Sequence, residues 1–327
     1  MRHDWALAEH VNDPTMQAAN LPLEATFYPL GYSVNIATNS SKILRAAEES
    51  WGRYRQQFPS PKLHLRIVVS SGDPASALTV PVCRTQRHLL VNVADPENFS
   101  VCDLARGFGF SFLSSTAAEN ADYVRYHFIE SMVYSMLANL CLTPIHAGCV
   151  SLDGRGVLLF GSSGAGKSCL AFACAKRGWT YLSDDGSSLV RGRHDSMVLG
   201  KPYRIRFRES AADLFPELQG LQPAIARDGE PSIEIDITEM PGIATATSCL
   251  VERVVFLQRS ATGAARLMPL EKLAALGQLE SELPVWEQHV SEEQKASLRA
   301  LVALPTVTLH YSNPDSAVDL LEGFLRQ

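Results

Sequence analysis

Apolar residues recur along this chain at two periods, and the change from one to the other organises it. Residues 26–36, TFYPLGYSVNI, alternate in places as a strand does. Asn39-Ser40-Ser41 can cap a helix from about Lys42 to Tyr54, with Ile43, Leu44, Ala47 and Trp51 on one face. Pro59 and Pro61 stop it, and LHLRIVVS (63–70) alternates apolar and polar as a half-buried strand. Short strands are expected near 78–82, 88–93 and 108–113. Residues 1–122 thus read as a small α/β unit, and no catalytic pattern falls in it.

Over residues 123–142 the period becomes helical. Ile129, Met132, Val133, Met136, Leu137, Leu140 and Cys141 form one apolar stripe, which reads as core rather than as a cofactor face. Thr143-Pro144 ends this helix, and a second domain is expected to run from 123 to 327. IHAGCVSL, the pair Asp153-Gly154 and RGVLLFG read as a β-hairpin. SCLAFACAKRG is a helix closed by Arg177 and Gly178, and WTYLS is a buried strand ending at Asp184-Asp185. Strand, glycine loop, helix and strand make an α/β unit. Strands are also expected at 203–209, 232–238, 253–258 and 306–311. A last helix starts at Asn313-Pro314 with Ala317, Leu320, Leu321 and Phe324 inward.

Composition narrows the classes. The chain has 327 residues, 46% hydrophobic and 20% charged, which suits a globular protein with one large or two ordinary domains. A net charge of −6 argues against nucleic acid and anionic membranes as partners. Seven cysteines without a CxxC pair read as thiols of a reducing compartment. The first residues, MRHDWALAEHVNDP, lack the apolar core of a signal peptide. The apolar stretch 127–142 contains Glu130 and Asn139 and is too short to cross a bilayer. A cytoplasmic location is expected.

The chemistry concentrates in Gly161-Ser162-Ser163-Gly164-Ala165-Gly166-Lys167-Ser168, which fits G-x-x-x-x-G-K-[ST] at every fixed position. Glycines let successive N–H groups turn inward on phosphate oxygens, and the helix that follows adds its positive end. Lys167 can reach the β- and γ-phosphates, and Ser168 can ligate Mg²⁺. The nucleotide-binding set is Gly161 through Ser168 with Cys169. Asp184-Asp185 closes the next strand, where carboxyl ends of an open sheet form a ligand crevice. One acid can hold Mg²⁺, for which Ser168 and Asp184 are the candidate ligands, and the other can take a proton from an attacking hydroxyl. An Asp-Asp-Gly sequence is otherwise an ordinary solvated turn. His146 has two readings: a satisfied core residue, or a group facing the transferred phosphate at the level of Phe160. Arg204, Arg206 and Arg208 alternate along one strand face, either as a charged exterior or as a phosphate clamp.

The run His146-Ala147-Gly148, Gly156 to Ser168, Lys176-Arg177-Gly178 and Leu182 to Asp185 resembles the catalytic domain of HPr kinase/phosphorylase. That resemblance implies a P-loop serine kinase of the HPr kinase/phosphoenolpyruvate carboxykinase fold type, with ATP and Mg²⁺. It implies that Lys167 and Ser168 bind nucleotide and metal, that Asp184-Asp185 supplies the base, and that His146 lines the phosphate site. The likeness covers about residues 144–190. The family's later Glu-x-Arg-Gly-x-Gly signature is absent, because Glu252-Arg253 lacks the glycines and Glu209 has no arginine and glycine after it. The expected activity is ATP-dependent transfer to a serine-type hydroxyl of a protein or peptide other than HPr, with an oligomer suggested by the family. A small-metabolite kinase and a non-catalytic ATP-binding switch stand as alternatives.

Overall fold

The computed structural model describes residues 20–70, 78–193, 195–225 and 231–326, so the expectation for the first fourteen residues lies outside them. The chain divides into two compact units, the first ending at Leu140 and the second beginning at Cys141. Both are α/β.

In the first unit, β1 (Leu23–Phe27) and β2 (Val34–Thr38) replace the single strand expected over 26–36. Pro29–Gly31 turns the chain between them, with Leu30 and Gly31 at positive φ. Helix α1 (Ser41–Trp51) follows, then β3 (Leu63–Val69). Asn39 does not cap α1. Its amide ties to the main chain of Val69 at 2.9 and 2.8 Å, clamping the ends of β2 and β3 together. Next come β4 (Val82–Gln86), β5 (Leu89–Asp95), β6 (Asn98–Asp103) and β7 (Phe108–Leu113). The strand expected near 78–82 therefore starts only at Val82. All seven strands form one sheet in the order β1-β2-β3-β7-β6-β5-β4.

The helix expected over 123–142 is broken, starts earlier and ends at Leu140. It comprises α2 (Ser115–Glu119), α3 (Ala121–Val124), a π-helical stretch over Arg125–Glu130, and α4 (Ser131–Leu140). The unit boundary also lies after this helix, whereas the sequence placed it at 122/123. The reason is packing that periodicity cannot assign to a partner. Trp51 Nε1 donates to the Tyr134 hydroxyl at 3.0 Å, and Asn92 Nδ2 donates to the His127 carbonyl at 3.1 Å. Met132 sits over Gly109, where a Cβ would lie 3.2 Å from its sulfur.

The second unit begins with β8 (Leu142–Ile145), so Thr143-Pro144 belongs to a strand. The hairpin β9 (Ala147–Leu152) and β10 (Arg155–Phe160) pairs Leu152 with Arg155 and Ala147 with Phe160. Its turn residues Asp153 and Gly154 have φ of 51° and 80°, the left-handed pair that a two-residue hairpin loop requires. After α5 (Lys167–Lys176) come β11 (Thr180–Ser183), β12 (Ser187–Val190), β13 (Met197–Leu199) and β14 (Arg204–Arg208). The chain continues through β15 (Ala224–Ile225), β16 (Pro231–Asp236), β17 (Ala244–Thr245), β18 (Ser248–Arg259) and β19 (Arg266–Pro269). Two helices that were not anticipated, α6 (Lys272–Ser281) and α7 (Gln288–Val302), precede β20 (Thr306–Tyr311) and α8 (Pro314–Arg326).

Ten of these strands form a mixed sheet running β17-β11-β9-β10-β18-β13-β12-β8, with β20 joined to β18 and β19 to β20. Strands β10, β18 and β20 are parallel neighbours. Alternation sorts the core onto two faces. Val157 and Leu159 of β10 pack with α5 and α8 residues such as Leu170, Phe172 and Leu321. Leu158 and Phe160 face the other way, onto Ala275, Leu279, Leu298 and Leu301. A separate three-stranded sheet, β14-β16-β15, carries the arginine strand. Among the described residues no helix is long and apolar enough to cross a membrane.

Candidate active site

Strand β9 lies between β10 and β11 and runs antiparallel to both, so β10 and β11 are parallel and end on the same side. The loop after β10 and the acids after β11 therefore emerge together. Gly148 allows the close approach, because a Cβ there would stand 2.9 Å from the Asp184 carbonyl oxygen. The acids occupy a bend just past the strand rather than strand positions.

Within the loop, Gly164 and Gly166 adopt φ of 84° and 95°, values that strain a residue with a Cβ. The amide of Ala165 bonds the Ser162 carbonyl at 3.0 Å, and α5 starts at Lys167. Ser162, Ser163, Gly164, Gly166, Lys167, Ser168 and Cys169 all line one cleft of about 510 Å³. Gly161 offers its carbonyl to Lys167 Nζ at 2.7 Å. Burial pushes the Cys169 thiol up, which keeps it neutral.

The two acids take different partners. Asp184 Oδ2 accepts the Ser168 hydroxyl at 3.0 Å and the Arg206 amide at 3.1 Å. Its other oxygen lies 3.3 Å from the Tyr181 hydroxyl, whose proton goes to the Arg204 carbonyl at 2.9 Å. Burial holds the Asp184 carboxyl above its ordinary value, although the bonds from Arg206 and Ser168 work against that. Asp185 meets Lys167 Nζ at 3.1 Å and His146 Nε2 at 3.0 Å. Burial alone would raise the Asp185 carboxyl, but the His146 hydrogen bond and the Lys167 charge outweigh it and hold it low. The Asp185 hydrogen bond raises His146 above its ordinary value.

His146 falls between β8 and β9, just beyond the Ala147–Phe160 pair, and its side chain is 49% exposed. Lys167, by contrast, is 6% exposed. Ser162, Ser163, Gly164, Gly166, Lys167, Ser168, Cys169 and the acid pair thus share one cleft with His146, while Gly161 and Ala165 lie behind it. The arginine strand divides. Arg204 pairs with Glu234 at 2.8 Å, while Arg206 and Arg208 line the cleft. Arg208 Nη2 donates to the Ser163 hydroxyl at 3.0 Å, and Arg206 Nε donates to Ser232 at 3.0 Å.

Sequence reasoning missed Tyr181, Ser210, Ser232 and Arg259. Tyr181 is the one with a usable signal, because it stands two residues before the strand end that carries the acids. Ser210, Ser232 and Arg259 come to the cleft from other strands or loops and carry no local mark.

The cleft suits a polyphosphate and a hard cation by its donor set. Glycines at positive φ turn the main chain around it, and a buried ammonium enters from α5. One hydroxyl and one carboxylate, Ser168 and Asp184, stand 3.0 Å apart and offer the oxygen ligands that Mg²⁺ prefers. Among the described residues, no group of three or more His, Cys, Asp or Glu side chains is placed to hold a metal alone.

The chain is 33% identical over 89 residues to HPr kinase/phosphorylase of Halalkalibacterium halodurans, a match covering 25% of this chain and 29% of that protein. It is 38% identical over 60 residues to HPr kinase/phosphorylase 1 of Oceanobacillus iheyensis, covering 18% and 19%. The matched segment therefore spans less than a third of either relative. Among solved structures, the Hpr(Ser) kinase/phosphatase from Coxiella burnetii aligns at 17% identity and a TM-score of 0.32, over 56% of this chain and 93% of that one. No protein-family profile matches.

Proposed function

We propose that this chain, HPr kinase-like in sequence over about a quarter of its length, transfers the γ-phosphoryl group of ATP to a serine-type hydroxyl of a protein or peptide. The observation that carries this reading is the division of labour between adjacent acids. Asp184 is tied to the loop hydroxyl Ser168, and Asp185 to Lys167 and His146. A cleft that only stored nucleotide would have no use for the second, half-exposed carboxylate.

In this reading the loop amides and Lys167 bind the phosphate chain, and Ser168 with Asp184 holds Mg²⁺, which supplies charge neutralisation when bound. Asp185, held low and 50% exposed, stays ionised and accepts the proton of the attacking hydroxyl. The bond from the γ-phosphorus to the bridging oxygen of ADP breaks as the acceptor oxygen bonds that phosphorus. His146 fixes the direction of Asp185, and Lys167 and Arg208 face the developing charge. The partner is a protein or peptide; neither nucleic acid nor a membrane is required.

Incubation with γ-labelled ATP and a host lysate should label a discrete polypeptide at serine. Asp185→Asn should lose transfer by roughly two to four orders of magnitude, the usual contribution of a positioned base, while retaining nucleotide binding. Undiminished labelling by that variant, or labelling of a small metabolite instead, would defeat the assignment.

A further inference from the structure

We infer that Tyr311 is a positioning residue of the glycine loop, its hydroxyl holding the Ala165–Gly166 peptide so that the Gly166 N–H faces the cleft. The inference rests on the nucleotide-binding reading above and deepens it. Tyr311 ends β20, far in sequence from the loop, and its ring is 1% exposed within the core that contains Leu170, Cys174 and Leu309. Packing therefore fixes the hydroxyl in space. That hydroxyl donates to the Ala165 carbonyl at 2.9 Å.

A trans peptide points its C=O and N–H in opposite directions. The Ala165–Gly166 bond is trans, since the cis peptide found is Ser60–Pro61. With the carbonyl anchored on the core side, the Gly166 amide must point the other way, and Gly166 lines the cleft. The neighbouring main-chain groups are engaged elsewhere. The Ala165 amide bonds Ser162, and the Gly166 carbonyl accepts Leu170 N at 2.8 Å as the first helical bond of α5. The Ala165 carbonyl would otherwise be a buried acceptor without a donor, which is costly in itself. Burial pushes the Tyr311 phenol well up, so it remains a donor at every working pH.

The same tyrosine adds a steric reason for glycine at position 166. Its φ of 95° disfavours a side chain, and a Cβ there would run into the Tyr311 hydroxyl. Two independent constraints, one conformational and one steric, meet at one residue. The steric one comes from a strand that no local motif includes.

The test uses the full chain and Mg·ADP as the probe, read by calorimetric titration. Tyr311→Phe keeps the ring and removes the hydroxyl. Its dissociation constant should rise about tenfold, and in the labelling assay KM for ATP should rise with kcat changed less than twofold. Gly166→Ala should lose binding, and Gly166→Ala/Tyr311→Phe should bind more tightly than Gly166→Ala alone, because the clash is relieved. If Tyr311→Phe lowers the melting temperature but leaves the affinity intact, or the double variant binds no better than Gly166→Ala, the tyrosine is only a core residue and the inference is wrong. Should Tyr311→Phe fail to fold, the amide resonance of Gly166 in the unaltered protein decides. It must shift on Mg·ADP addition, and an unchanged resonance overturns the inference. A wild-type protein that binds no Mg·ADP would instead sink the nucleotide reading itself.

Discussion

The two units hold charge in opposite ways. In the first, Arg125 is 5% exposed and surrounded by compensation: Glu49, Asp122 and Glu130 lie within 3.6 Å of its guanidinium, and Ser50 accepts its Nε at 3.0 Å. Asp95 likewise closes on Asn98, which in turn caps Ser114. In these networks the cation is buried and its charge is met by its own neighbours. In the second unit, Asp184, Asp185 and His146 are all displaced from their ordinary protonation behaviour, in different directions, along one side of a cleft. The contrast teaches that burial plus pairing builds structure, whereas burial with pairing left open toward a cavity builds a site.

The sharpest way to break this comparison is to remove one cation from each unit. Lys167→Ala should cut phosphoryl transfer by about three orders of magnitude or more with little change in melting temperature. Arg125→Ala should do the reverse, costing roughly 2 kcal/mol of stability through the bonds to Glu130 and Ser50 that it removes, while transfer per folded molecule stays normal. Equal effects of both on either readout would erase the distinction.

Next in size is Asp184→Asn. Its carboxyl is raised in the folded state, so the native form holds the proton more tightly and loses stability as pH climbs from the unfolded value of 3.8 through the folded one. The amide can keep the Ser168, Arg206 and Tyr181 contacts, because Tyr181 already donates to the Arg204 carbonyl at 2.9 Å and can accept in turn. The metal-free variant should therefore melt higher than the parent at pH 7 and the same at pH 3. Its response to Mg²⁺ should vanish. A lower melting temperature at pH 7 would show that the carboxylate is stabilised rather than strained.

His146→Asn should have a smaller, pH-shaped effect. The raised imidazole contributes stability fully below its unfolded value of 6.5 and loses it as pH rises through the folded value. The lowered Asp185 contributes above 3.8 and loses its share as pH falls through its folded value. The difference in melting temperature between variant and parent should peak between those limits and shrink as pH rises through the folded value of His146, and thermal melts across pH 3–9 would show it. A flat difference would mean that the pair is not ionic. Both groups are half exposed, so about 1 kcal/mol is the ceiling.

The smallest effect belongs to Arg204→Ala. Its pair with Glu234 is exposed on both sides and should be worth well under 1 kcal/mol. Arg208→Ala, four residues on, should weaken Mg·ADP binding measurably because its guanidinium bonds the loop at Ser163. Similar binding by the two variants would return the arginine strand to a charged exterior.

Local order was legible wherever one residue or one short pattern set the backbone. Asp153-Gly154 dictated its turn, Asn313 its cap on Asp315 N at 2.7 Å, and the spaced glycines with Lys167 and Ser168 their loop. The breaks were less visible. The helix after residue 120 interrupts itself through a π-helical stretch at Arg125–Glu130, where the apolar spacing alone reads as continuous. Helix α6 spreads its apolar residues around its axis, with Leu273 exposed while Ala275 and Leu279 are buried, so no single stripe marks it.

What this chain's sequence determined by itself is a loop able to wrap an anion and two acids seventeen and eighteen residues past its lysine, because glycine conformation and helix polarity act within a few residues. The tertiary structure decided which acid meets which partner, which two of three arginines line the cleft, and that Tyr311 reaches Ala165. Those outcomes depend on strand order: β9 sits between β10 and β11, and β20 lies beside β18. Neighbours across a sheet are chosen by how two core faces fill together, and no window of sequence contains both sides of that choice.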